Sequence, residues 1–167
     1  MTKNNFSLQA ENIATQSPNG PSVQVLQELM QSAKEASAFS YSPYSHFPVG
    51  AAVLTDSGRV FRGCNVENAS YGLTNCAERT AIFTAAAAGE RQLSGVAIYT
   101  PTDQPAAPCG ACRQVIYEFG PDCFVVSVCD GDQYLFMNIR ELIPHAFGPN
   151  DLEEASPEQN PLKDEQK

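Results

Sequence analysis

Two short stretches of the chain carry side chains that could do chemistry together. Cys76-Ala77-Glu78-Arg79 and, further along, Pro108-Cys109-Gly110-Ala111-Cys112-Arg113 each open a run of helical character. A Cys-x-x-Cys pair at a helix start lets both sulfurs reach one ion. A third thiolate from a neighbouring helix N-terminus makes three protein ligands. Three ligands leave the fourth tetrahedral position to water, which separates catalytic zinc sites from closed structural ones. Glu78 stands two residues after Cys76. A carboxylate is a poor fourth partner for a structural thiolate site, but beside metal-activated water it can carry protons. The alternatives are a structural zinc or buried thiols, and for Glu78 alone a first-turn carboxylate favoured by the helix dipole. Neither motif supplies a fourth ligand.

Three thiolates on Zn²⁺ leave a formal charge of about −1, which opposes deprotonation of a bound water. Partial positive charge at the two helix N-termini offsets this. So would a guanidinium donating to sulfur, from Arg79 or Arg113, with Arg79 the favoured donor.

These groups need a scaffold that brings two helix starts together. Residues 1–20 are polar and aperiodic and read as a disordered N-terminal arm. From Ser22, a candidate N-cap, apolar residues recur at helical spacing to about residue 39. SYSPYSHFP is a loop, and VGAAVLT, Asp56-Ser57-Gly58 and RVFRGCNV read as a hairpin. CAERTAIFTAAAAGE reads as a helix stopped by Gly89, VAIYT (96–100) as a strand, and CGACRQVIYEFG as a helix ending at Gly120. CFVVSVCD and QYLFMNI read as strands, followed by a short helix at Arg140–Ile143 and an acidic tail after Gly148. A hairpin followed by alternating helices and strands predicts an α/β domain over 21–148 with a five-stranded mixed sheet, and a tail over 149–167.

Composition narrows the function classes. No apolar run reaches the ~18 residues that span a bilayer, and residues 1–20 lack a signal-peptide core. A cytoplasmic protein without a membrane partner is expected, and its six cysteines (Cys64, Cys123 and Cys129 besides the three above) are expected to stay reduced. The net charge is −9, and the chain remains acidic without its tail. A nucleic-acid partner is therefore disfavoured, because phosphate binding needs a basic surface. His46 and His145, the only histidines, lack ligand spacing and read as loop residues.

The motif Cys-x-Glu with Pro-Cys-x-x-Cys matches the signature of zinc deaminases of nucleobases. More widely, YSPYSHFPVGAAV (41–53), GCNVENASYGLTNCAERTAIF (63–83), PCGACRQVIYEF (108–119) and ELIPHAFGPNDL (141–152) closely resemble the small cytidine deaminases, of the homotetrameric class. The resemblance spans residues 22–152. It implies a three-layer α-β-α fold and one Zn²⁺ per subunit on Cys76, Cys109 and Cys112. It implies hydrolytic deamination of cytidine and deoxycytidine to uridine and deoxyuridine plus ammonia, in pyrimidine salvage. Glu78 would be the proton shuttle, with Arg79 supporting the sulfurs. Asn65 and Glu67 would hold ribose hydroxyls and Phe47 would pack on the base. Ala69, Tyr71 and Phe147 would reach the pocket from neighbouring subunits, making a homotetramer with shared active sites. His145 departs from the small residue common at that position, which bears on the shape of the pocket edge. Other cytosine-bearing substrates, or a silent zinc-stabilised oligomer, are the competing functions; an intact Glu78 speaks against the last.

Overall fold

The computed structural model describes residues 5–17 and 20–155, and its first element is a helix where an unstructured arm is expected. α1 (Asn5–Gln16) buries Phe6, Ala10 and Ile13 on one stripe. The polar residues around these three mask the pattern. Their burial against α2 and the sheet, not intrinsic propensity, fixes the helix. Part of the expected arm therefore belongs to the folded body; residues 1–4 lie outside the described residues.

Ser22 is the N-cap of α2 (Val23–Ser37), as its sequence predicts, accepting from the Val25 amide at 3.3 Å. β1 (Gly50–Thr55) and β2 (Val60–Cys64) form the expected hairpin, turning through Gly58 at φ 82°. α3 (Ala77–Ala87) ends before Gly89, whose φ of 91° a side-chain-bearing residue rarely adopts. β3 (Leu93–Thr100) starts three residues earlier than expected. α4 (Gly110–Phe119), β4 (Phe124–Cys129) and β5 (Tyr134–Asn138) follow. A capping box between Asn138 and Glu141 starts α5 (Ile139–Leu142) one residue early. The first residues of the acidic tail form α6 (Pro149–Ala155), where Asp151 accepts from the Gly148 amide at 2.7 Å; residues 156–167 lie outside the described residues.

The strands make one mixed sheet of order β2-β1-β3-β4-β5, in which only β3 and β4 pair in parallel. Side chains alternate along each central strand. Ala51, Val53, Val96, Ile98 and Val125 face α3, α4 and α5, while Ala52, Ala97, Tyr99, Val126 and Val128 face α1 and α2. Both faces are covered, so these strands read as continuous apolar runs.

This topology decides where chemistry can happen. β2, β3 and β4 run in one direction, and α3 and α4 are the crossovers joining β2 to β3 and β3 to β4. Both helices lie on one sheet face and start from the same sheet edge, beyond the C-terminal ends of β2 and β3. Ligand crevices of open α/β sheets form there. Gly63 lets α3 approach β2: a Cβ at that position would stand 2.3 Å from the Ala81 nitrogen and 2.6 Å from the Ala77 oxygen. Backbone on both sides cannot yield cheaply. Gly63→Ala is expected to destabilise the fold by about 1–3 kcal/mol, read by urea denaturation.

Candidate active site

Cys76 and Cys109 occupy the same position on two helices. Each is an N-cap in extended conformation, at φ −75°, ψ 156° and φ −67°, ψ 166°. Neither side chain caps its helix, so both sulfurs remain free to turn away from the peptide amides. Cys112, one turn into α4, is buried. The three sulfurs lie within 4.8 Å of one another. Two sulfurs bound at 2.3 Å to one tetrahedral ion stand about 3.8 Å apart, and the Cys76 and Cys109 sulfurs are 3.8 Å apart. The donor set, its spacing and the absence of any fourth ligating side chain in the cluster fit zinc.

The surrounding charges point the same way. A thiol of Cys112 donating to Cys76, followed by the Arg79 guanidinium, pulls the Cys76 thiol down to about 5. Donation to Cys76, burial and the nearby Glu78 carboxylate push Cys112 far up. One proton is thus held between sulfurs too close to ionise together, and a divalent cation is what would release it. Arg79 reaches the Cys76 sulfur at 3.3 Å and the Thr74 carbonyl at 3.4 Å. Arg113, the other candidate, instead donates to the Pro108 and Leu142 carbonyls at 2.8 Å each. It ties the α4 N-terminus to α5 and leaves the sulfurs alone.

Glu78 lies in the first turn of α3 and is only 5% exposed. Burial, opposed by its backbone hydrogen bond and reinforced by the charge on Cys76, raises its carboxyl pKa above the ordinary value. A buried carboxyl beside three sulfurs and a cleft is suited to accepting and returning a proton near neutral pH.

The cleft itself, of about 370 Å³, is lined by Cys76, Glu78 and Cys109 together with Asn65, Glu67, Ser45 and Phe47. Asn65 is 8% exposed. Its Oδ1 accepts from the Ser40 hydroxyl at 2.5 Å and the Val49 amide at 2.9 Å, and its Nδ2 donates to the Phe47 carbonyl at 2.9 Å. Those bonds seat the loop that presents Phe47, and the second Nδ2 hydrogen is left over. Glu67 accepts from the Tyr44 and Ser45 amides, at 2.9 and 3.2 Å, and from the Ser45 hydroxyl. The Ser45 hydroxyl is the main cause that keeps the Glu67 carboxyl below its usual range. Asn65 therefore retains a donor and Glu67 an acceptor, both on residues that line the cleft.

Three expected residues stay outside this cleft within one chain. Ala69, Tyr71 and Phe147 are exposed on the surface. Tyr71 stacks near Tyr44 at 5.8 Å, and the Phe147 carbonyl accepts from Gln114 at 2.8 Å. Conversely, Ser45, Ile98, Thr100, Ala106 and Ala107 line the cleft without having been singled out by sequence. Ser45 sits inside a recognisable motif, but the apolar wall carries no chemical signature. A larger hollow of about 510 Å³, bounded by Val25, Leu54, Phe124 and Phe136, contains none of the chemically competent groups.

A family model described as the cytidine and deoxycytidylate deaminase zinc-binding region matches residues 23–128. Cytidine deaminase of Sporosarcina psychrophila is 40% identical over 141 residues, 78% of this chain and 97% of that one. The cytidine deaminase of Halalkalibacterium halodurans is 47% identical over 128 residues, 75% of this chain and 96% of its own. The crystal structure of cytidine deaminase from Burkholderia pseudomallei superposes with a TM-score of 0.69 at 50% identity, covering 72% of this chain and 97% of that chain. Among the described residues no helix is long and apolar enough to cross a membrane. Replacing Cys76, Cys109 or Cys112 singly by alanine is expected to abolish zinc retention through dialysis. Cys64→Ala and Cys123→Ala, outside the cluster, should keep it; metal analysis reads both.

Proposed function

The chain belongs to the cytidine and deoxycytidylate deaminase family, and from that premise we propose that it hydrolyses the exocyclic amine of cytidine and deoxycytidine, releasing ammonia and the corresponding uracil nucleoside. The observation that carries this reading is the buried Glu78 carboxyl lining one cleft together with Cys76 and Cys109 of the three-sulfur cluster and with the Asn65–Glu67 pair.

Cys76, Cys109 and Cys112 would hold the zinc, one ion per subunit, with the Arg79 guanidinium drawing charge from the Cys76 sulfur. Zinc bound there supplies the Lewis acidity that makes hydroxide available near neutral pH. The chain's own residues do the rest. Glu78 takes a proton from the attacking water and delivers it to ring N3 as oxygen adds to C4. It then takes the hydroxyl proton of the adduct and hands it to the leaving amine. The C4–N bond breaks, ammonia departs and Glu78 is again a carboxylate. Its raised pKa suits both halves of that cycle.

Along the same cleft, sugar hydroxyls can donate to Glu67 and accept from Asn65, and each hydroxyl does both. Phe47, 40% exposed on the cleft wall, offers a face to the base. The ionised Glu67 and the net charge of −9 disfavour a phosphate on the sugar. The exposure of Ala69, Tyr71 and Phe147 supports the homotetramer in which neighbouring subunits close each other's clefts. Such an enzyme works in pyrimidine salvage, in the cytoplasm.

Two outcomes check the proposal. Glu78→Gln should lower kcat on cytidine by about 10²–10⁴-fold while zinc content stays at wild-type level; undiminished turnover would remove Glu78 from the proton path. Phe147→Ala should raise KM for cytidine, and sedimentation should give four chains per particle. A fully active monomer would contradict shared clefts.

A further inference from the structure

α1 lies outside the residues that the family model covers, yet it is joined by a short series of contacts to the wall of the cleft. Asn5 Nδ2 donates to the Gly131 carbonyl at 2.7 Å, and Gln9 Nε2 donates to the Asp132 and Gln133 carbonyls at 3.2 and 3.3 Å. All three acceptors belong to the turn between β4 and β5. Gln9 is 2% exposed, and among the described residues its Oε1 finds no partner. A buried amide left half satisfied costs stability, so its placement reflects what Nε2 holds.

The same turn grips the loop that leads to Cys109. The Asp130 and Gly131 amides donate to the Thr102 carbonyl at 3.1 and 3.4 Å, and the Cys129 thiol donates to the Asp103 carbonyl at 3.6 Å. Contact there is too close for a side chain, since a Cβ on Gly131 would stand 2.3 Å from the Asp103 oxygen. Asp130 is itself pinned by Lys34 at 2.9 Å and Tyr99 at 2.7 Å, and the Lys34 ammonium lies over the rings of Phe6 in α1 and Tyr99 in β3. Beyond Thr102 the loop supplies Ala106 and Ala107 to the cleft wall and ends at Cys109, a member of the sulfur cluster.

We propose that α1 is a strut for the substrate cleft: Asn5 and Gln9 are positioning residues that hold the β4–β5 turn, and through it the loop 101–108. The helix thus sets how firmly this chain grips its nucleoside. The kinetic part of this inference rests on the deaminase function proposed above; the structural part does not.

The test is a double variant, Asn5→Ala with Gln9→Met. Methionine keeps the buried volume of Gln9 and removes both hydrogen bonds together with the unsatisfied oxygen, so folding is spared. Leu8→Ala, on the exposed side of α1, is the control. Hydrogen exchange on the zinc-loaded protein should be faster in the peptides spanning 101–109 and 129–133 of the double variant and unchanged in the control. On cytidine, KM should rise about three- to tenfold with kcat within about twofold, the mark of lost uniform binding. Unchanged exchange in those peptides overturns the strut, whatever the melting temperature does. Faster exchange with unchanged KM overturns it too, because the coupling would stop short of the cleft. A wild-type protein inert toward cytidine would defeat the proposed function and leave the exchange readout to decide this inference alone.

Discussion

Three sulfurs converge within 4.8 Å at the starts of two helices, and much of the site follows from what that convergence requires. Thiolates so close cannot all ionise against one another, which is why the Cys76 thiol is drawn down while that of Cys112 is pushed up. A divalent ion resolves the conflict, and helix N-termini and the Arg79 guanidinium reduce the negative charge that three thiolates leave behind. Glu78, two residues into α3, is carried to the same spot by the helix that carries Cys76. The sulfur cluster and the buried carboxyl are thus parts of one local structure, and whatever moves α3 moves Cys76 and Glu78 together.

The sheet exists to bring those two helix starts together. Crossovers from β2 to β3 and from β3 to β4 start α3 and α4 at one sheet edge, and Gly63 allows α3 to lie against β2. Asn65 and Glu67, which line the same cleft as Cys76 and Cys109, spend most of their hydrogen-bonding capacity on the loop 40–49. The two bacterial relatives cover about three quarters of this chain and nearly all of their own length, and α1 and the acidic tail both lie outside residues 23–128, which the family model matches.

Much of this was legible in the sequence for reasons that can be named. Cys-x-x-Cys and Cys-x-Glu at helix starts state a geometry, because 3.6-residue periodicity places those side chains without tertiary information. Ser22, Gly58 and Gly89 mark a cap, a turn and a stop by their local chemistry. What stayed hidden depends on contacts between distant segments. α1 buries only three of its apolar residues in a largely polar sequence, and the surface of α2 and the sheet that they cover explains the helix. β3 begins at Leu93, ahead of the apolar run at 96–100, and the Phe124 ring packs onto Gly95 where a Cβ would stand 2.2 Å away. The cleft wall residues Ile98, Thr100, Ala106 and Ala107 carry no motif that marks them, and Arg113 is told from Arg79 by the carbonyls it meets.

A zinc ion held by Cys76, Cys109 and Cys112 would keep one position for solvent. X-ray absorption at the zinc edge of the fully loaded protein measures that coordination directly. Three sulfur scatterers at about 2.3 Å with one oxygen at about 2.0–2.2 Å are the expected result. Four sulfurs, or fewer than three, would contradict it.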